Sequence, residues 1–227
     1  AEIRPRAVRG AKGSEQLLSA VRELWESYNR HPFVLGIQNG TLDREKFRYY
    51  IVQDTLYLED YARVFALGAA KAKSQEMSNL FAGYILAMNA EQDVHAGYLA
   101  QFGVTAQELA ETPHALANLS YTSYMLRVAY EQGETEILAA VLSCAYSYEL
   151  VAKTILRNNP AAGEDPFYGA WIRGYASEKY SAENRRLLEA FDRLSADCGE
   201  KQLRRLTEIF TICSSYELAF WEMAWSI

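Results

Sequence analysis

Three reactive side chains sit where helical periodicity turns inward. Cys144 lies in a long apolar stretch in which Ile137, Val141, Cys144, Tyr148, Val151 and Ile155 advance in steps of three or four, so they share one helix face. A cysteine attacks carbon only as the thiolate, which calls for a base or a positive field beside it. Asp54 falls seven residues after Phe47 and seven before Tyr61, on a stripe that also holds Tyr50, Ile51, Tyr57, Leu58, Val64 and Phe65. Glu217 interrupts an equally apolar face made of Leu203, Leu206, Phe210, Cys213, Phe220, Trp221 and Ala224.

A carboxylate on an apolar face loses hydration, which raises its pKa unless a partner offsets the cost. Asp54 and Glu217 are therefore candidates for acid–base or ligand-binding work. The plain alternative for each is a hydrogen bond to a core tyrosine, and the chain has 16 tyrosines. The plain alternative for Cys144 is an inert buried thiol, common for cysteine. Cys213, one turn before Glu217, rivals it on pattern, whereas Cys198 beside Gly199 looks incidental. Phe47, Tyr50, Tyr57, Tyr61, Tyr121, Tyr148 and Tyr175 read first as core. Some could instead sandwich a flat heteroaromatic ligand.

Glu91 and His95 are i,i+4 neighbours, which raises a metal site, yet a di-iron carboxylate bundle needs two Glu-x-x-His helices plus further glutamates, a poor match to a chain with three histidines in all. A salt-bridged or capped core histidine is the expected state of His95, and a solvated one that of His114. No pattern asks for His31 or His95 as a haem ligand. A Gly-rich phosphate loop is missing, and neither a metal nor a cofactor is expected.

The elements that must position these groups are helices. Ser14 can cap a helix carrying Leu17, Leu18, Val21, Leu24, Trp25 and Tyr28. His31-Pro32 breaks it, and Asn39-Gly40 is a turn. Thr41 is the expected cap of a helix to about Lys73, followed by one from about Gln75 to Phe102 with Gly103 at its C-terminal end. Thr105-x-x-Glu108 opens a short helix as a capping box. A helix begins at Ser120 and stops at Gly133, and the Cys144 helix stops at Asn158-Asn-Pro160. Asp165-Pro166 reads as a cap with proline at the first helical position. Residues 181–196 and the stretch after Gly199 complete the series. No stretch alternates as a strand and no repeat recurs. The fold class is all-α, a compact helical bundle, with residues 1–13 as a flexible arm and 14–227 as a single domain.

The chain has 227 residues, half of them hydrophobic, and a net charge of −6. That composition is globular and carries no basic footprint for nucleic acid or anionic membrane. No apolar run approaches the ~20 residues of a membrane span. Three distant cysteines make no disulfide framework. The start lacks a signal-peptide pattern, so a cytoplasmic location is expected.

The segments His31-Pro-Phe-Val-Leu-Gly-Ile-Gln-Asn-Gly-Thr-Leu42 and Phe47-Arg-Tyr-Tyr-Ile-Val-Gln-Asp54, with Tyr57-Leu58, resemble the N-terminal signature of the TenA / thiaminase II family. The resemblance continues through Ser120-Tyr-Thr-Ser-Tyr-Met125, Cys144-x-x-x-Tyr148 and Trp171-Ile-x-x-Tyr175. It closes with Ser215-Tyr-Glu217-x-x-Phe220-Trp221-x-Met223-Ala224. It covers nearly the whole chain from Ser14.

What this resemblance implies is a haem oxygenase-like all-α fold, usually tetrameric, that hydrolyses the substituent on the methylene of 4-amino-2-methylpyrimidines in thiamin salvage. Ammonia leaves from the aminomethyl pyrimidine, or the thiazole leaves from thiamin. Carried over by position, Cys144 matches the nucleophile and Glu217 the general acid/base. Asp54 matches the carboxylate at the pyrimidine edge, and Tyr57, Tyr121, Tyr148 and Tyr175 match pocket tyrosines. The chain departs from the pattern at Ala145-Tyr146, where relatives often carry an aromatic pair, and at Ala176-Ser177, where many have glycines. Both departures bear on substrate preference. Two other readings stay open here: a haem- or metal-dependent oxygenase on the same fold, and a non-catalytic pyrimidine-binding protein.

Overall fold

The computed structural model describes residues 12–227, and every regular element among them is helical. In chain order these are α1 (Gly13–Tyr28), α2 (Pro32–Asn39), α3 (Arg44–Lys71), α4 (Gln75–Ala87), α5 (Asn89–Gln101), α6 (Ala106–Glu111), α7 (Leu116–Glu131), α8 (Glu134–Asn158), α9 (Gly169–Ala176), α10 (Glu178–Ser195) and α11 (Glu200–Trp225), with a 3₁₀ turn at Pro160–Glu164. The arm expected over residues 1–13 lies outside the described residues as far as residue 11, and Gly13 already opens α1.

Several helix ends differ from those read along the chain. Ser14 does not cap α1. It lies inside the first turn, where its N–H and hydroxyl donate to Asp192 of α10 at 2.9 and 3.0 Å. Asp43, not Thr41, caps α3 by accepting from the Glu45 N–H at 2.8 Å. His31 caps α2 through Nδ1, which accepts from the Phe33 N–H, and proline follows at the first helical position. The stretch from Gln75 to Phe102 is two helices that bend at Met88, a break for which the sequence holds no proline. Helix α7 starts four residues before Ser120, at Leu116. Asp165 accepts from the N–H groups of Phe167 and Tyr168, closing a turn ahead of α9 rather than capping that helix directly.

Helix α8 runs through the centre, packed against α3, α7, α9, α10 and α11. Among the described residues it is the one helix long and apolar enough to cross a membrane, but its surface is buried against these neighbours. Phenols tie the layers together, as an aromatic-rich core requires. The Tyr61 hydroxyl donates to the Val141 carbonyl at 2.6 Å, joining α3 to α8. Tyr28 donates to the Ser214 carbonyl, and the Trp25 indole N–H donates to the Ser214 hydroxyl at 2.9 Å, joining α1 to α11.

Helices α3 and α4 approach at Gly68, where an added Cβ would stand 2.6 Å from the Phe81 ring. Phe81 cannot retreat, because Phe65 packs on it and stacks on Tyr84 at 4.3 Å. Gly68→Val should therefore destabilise the fold by about 3 kcal/mol, the upper end of overpacking costs. Thermal unfolding reads this as a Tm lowered by several degrees, and an unchanged Tm would contradict the packing described.

Candidate active site

Cys144 occupies the middle of α8, Asp54 the middle of α3 and Glu217 the last third of α11. Because α8 packs on both α3 and α11, the three inward faces read from periodicity converge. Glu217 accepts a hydrogen bond from the Tyr121 hydroxyl at 3.2 Å, and Tyr121 also meets the hydroxyl of Ser143, the residue before the cysteine, at 3.2 Å. Cys144 and Glu217 stand close enough to perturb each other's protonation, and the Tyr57 phenol faces the thiol. Around them the Tyr57 ring lies 5.2 Å from Tyr121 and 5.8 Å from Phe220.

Burial pushes the Glu217 carboxyl well above the usual carboxylate range, and the negative charge of Asp54 adds to the shift. The shift favours the protonated, hydrogen-donating form of Glu217. Burial likewise pushes the Cys144 thiol up, with Glu217 adding to it and the Tyr57 hydrogen bond opposing. The positive field that a resting thiolate requires is thus absent from the groups acting on Cys144: they are carboxyls and phenols.

The two rival cysteines separate here. Burial raises Cys213 as well, but its surface is wholly covered, whereas Cys144 keeps 8 % of its surface open. A space large enough for water touches Cys144 and not Cys213. Reactive thiols need such access.

His95 is the salt-bridged core histidine expected, with Asp54 as its carboxylate partner. His95 Nδ1 meets the Glu91 backbone carbonyl at 2.7 Å, while Nε2 reaches across to Asp54 Oδ2 at 2.6 Å. With acceptors on both ring nitrogens, His95 is a donor twice over, which is the imidazolium form. Burial alone would lower its pKa; the Asp54 hydrogen bond and charge, joined by the charge and carbonyl of Glu91, outweigh that and raise it. The Glu91 carboxylate instead accepts from the Tyr175 hydroxyl at 3.0 Å. One turn of α5 therefore fixes both Asp54 and Tyr175. The i,i+4 spacing signalled this turn, but the partner on α3 was visible only after folding.

A group whose pKa is higher in the folded state stabilises most below its unfolded pKa, and the gain vanishes as pH rises through the folded value. The Tm advantage of the native protein over His95→Gln should thus be largest below about pH 6.5 and shrink as the solution becomes alkaline. A difference independent of pH in thermal unfolding would contradict a charged His95.

Tyr148 donates to or accepts from Tyr50 at 2.9 Å, and its ring lies 4.9 Å from Tyr175 and 6.0 Å from Trp171. Tyr175 and Trp171 in turn wall a cavity of about 150 Å³ with Tyr84, Met88, His95 and Tyr180. Asp54, Cys144 and Glu217 are not among its walls. They lie behind it: His95 holds Asp54, Tyr175 packs on Tyr148, and the Tyr180 hydroxyl donates to the carbonyl of Ala145 at 2.7 Å. That same carbonyl accepts from Asn184 at 2.9 Å, so two side chains of α10 hold the peptide after Cys144. Tyr50, Trp171 and Tyr180 thus join the seven candidate residues; aromatic pattern alone did not separate them from ordinary core.

The remaining histidines are paired with carboxylates. His31 meets Glu222 at 2.8 Å, and His114 meets Asp60 at 3.1 Å where full solvation was expected. Among the described residues no group of three His, Cys, Asp or Glu side chains is arranged to hold a metal ion.

An all-helical bundle that buries a thiol, a protonated carboxyl and a charge-fixed aspartate among tyrosines is built as a small-molecule enzyme interior. A family model described as TENA/THI-4/PQQC matches residues 18–226, and the chain belongs to that family. It is 40 % identical over 213 residues to an aminopyrimidine aminohydrolase of Helicobacter pylori, covering 93 % of this chain and 98 % of that protein. It is 34 % identical over 215 residues to the aminopyrimidine aminohydrolase of Bacillus subtilis, covering 94 % and 90 %. Among solved structures, a TenA homologue from P. horikoshii superposes with a TM-score of 0.84 at 32 % identity over 95 % of this chain and 99 % of that one. A heme oxygenase-like domain from Shewanella denitrificans shares the fold alone, with a TM-score of 0.74 at 11 % identity over 94 % and 92 % of the two chains.

Proposed function

We propose that this chain hydrolyses the substituent on the methylene of 4-amino-2-methylpyrimidines in thiamin salvage, giving 4-amino-5-hydroxymethyl-2-methylpyrimidine. The observation that carries the proposal is the meeting of Cys144, Glu217 and Asp54 in one aromatic interior of a chain related to aminopyrimidine aminohydrolases.

In this reading Asp54 offers Oδ1, which takes part in none of the hydrogen bonds found among the described residues, to the ring edge. His95 holds the other oxygen. The thiol gives its proton to a ring nitrogen as the sulfur, becoming the thiolate in that step, bonds to a ring carbon. Aromaticity is lost, and no thiolate has to exist beforehand. The ring then expels the group on the exocyclic methylene, whose C–N electron pair departs with the nitrogen. Glu217 protonates that nitrogen where it arrives without a proton, and the resulting carboxylate takes a proton from the water that adds to the methylene. Sulfur leaves as the ring regains aromaticity, and the proton on the ring nitrogen returns to it, restoring the thiol. Tyr57 supports the sulfur, Tyr121 orients Glu217, and Tyr148 and Tyr175 bound the ring.

A homotetramer in the cytoplasm, formed by the single domain from residue 14 onward, belongs to the same reading; sedimentation velocity tests the assembly. The functional test is release of ammonia from the aminomethyl pyrimidine and of thiazole from thiamin, assayed on one preparation. Turnover of at least one is expected. Tight binding of both with turnover of neither would make this a pyrimidine-binding protein.

A further inference from the structure

The cavity in front of the buried trio has walls of mixed character. Tyr84, Met88, Trp171, Tyr175 and Tyr180 present rings and a thioether, and among them stands the Glu91 carboxyl, anchored by Tyr175. Its position is fixed relative to the chemistry by three contacts already described: Tyr180 to the peptide after Cys144, His95 to Asp54, and Tyr175 to Tyr148. These contacts put the cavity beside the residues that would hold a pyrimidine. We propose that the cavity is the leaving-group subsite, and that Glu91 makes it select leaving groups that arrive as cations over neutral ones of the same size.

A carboxylate among aromatic faces is a cation site: the rings attract positive charge through their quadrupoles, and the carboxylate supplies the countercharge. The other charges around the cavity leave this role to Glu91. Glu183 is committed to Arg186 at 2.5 Å, His95 is neutralised by Asp54, and Lys179 is exposed at the rim. Burial, with Asp54 adding to it, pushes Glu91 up to about 7 against the opposing pull of His95 and Tyr175. Near neutrality a bound cation therefore completes its ionisation.

The sign of the kinetic effect follows from electron bookkeeping. When the C–N bond breaks, its electron pair goes to nitrogen and the cation becomes neutral. The attraction to Glu91 is strongest before cleavage and weakens during it. Glu91 thus raises affinity and does not accelerate the bond-breaking step.

This inference rests on the proposed hydrolysis, and its test has an arm that does not. Equilibrium titration with N-methylthiazolium and with neutral thiazole compares the native protein with Glu91→Gln. The substitution should weaken thiazolium binding about tenfold, the scale of one charge-assisted contact, and leave thiazole within about twofold. In turnover, Glu91→Gln should raise KM for a cationic substrate about tenfold without lowering kcat, which rises where bond breaking limits the rate, and leave KM for the N-formylated, neutral aminomethyl pyrimidine unchanged. Glu91→Asp, which keeps the charge, should recover most of the thiazolium affinity. Equal losses for cation and neutral probe, or no loss for either, would overturn the assignment. If thiazolium binding behaves as stated while no pyrimidine is hydrolysed, the catalytic reading fails and the cation site stands.

Discussion

Cys144→Ser is expected to lower kcat/KM for aminopyrimidine hydrolysis by at least about 10³-fold, because a serine hydroxyl is a far weaker nucleophile without a base to activate it. Nothing beside residue 144 supplies that base: Glu217 rests protonated and Tyr57 rests as the phenol, both held there first by burial. The sulfur of Cys144 escapes the same restriction because a thiol proton is more acidic and more readily given to the substrate ring during addition. Serine is close in volume to cysteine and the site is only 8 % open, so the fold should be retained. Steady-state kinetics together with thermal unfolding separate lost chemistry from lost structure.

The second large effect is on Glu217. Glu217→Gln removes a proton donor that the fold holds ready, and kcat for a neutral leaving group should fall by about 10²- to 10⁴-fold, the usual worth of general acid–base catalysis. A thiazolium leaving group departs as neutral thiazole without taking a proton, so the loss with that substrate should be smaller. Stability should move the other way. A carboxyl with a raised folded pKa keeps its proton while the unfolded chain has lost it, so stability falls as pH rises from about 4.3 toward the folded value. Glutamine escapes that cost. The variant should therefore unfold at a higher Tm than the native protein at neutral pH, with the gap closing below about pH 4. A Tm lowered at every pH would mean that Glu217 is a structural acceptor for Tyr121 and not a stored acid.

How much of this was legible in the chain depends on what each feature needs. Helix faces are local, so the inward position of Cys144, Asp54 and Glu217 could be read from steps of three and four residues. Helix ends were less legible because competing caps lie within a few residues of each other: Asp43 displaced Thr41, and Ser14 found Asp192 across the bundle. The bend at Met88 has no proline or cap to announce it. The Asp54–His95 pair joins residues 41 positions apart, and no periodicity links α3 to α5. Pattern also could not rank Cys144 against Cys213, since both face inward. The difference is a small space beside one of them, and that depends on how α3, α8 and α11 pack.

The most direct test of the account compares Cys144→Ser with Cys213→Ser in steady-state hydrolysis of the aminomethyl pyrimidine. Cys144→Ser should lose at least about 10³-fold in kcat/KM while Cys213→Ser stays within a few-fold of the native protein. Survival of activity in Cys144→Ser, or equal losses in both variants, would contradict a nucleophilic Cys144.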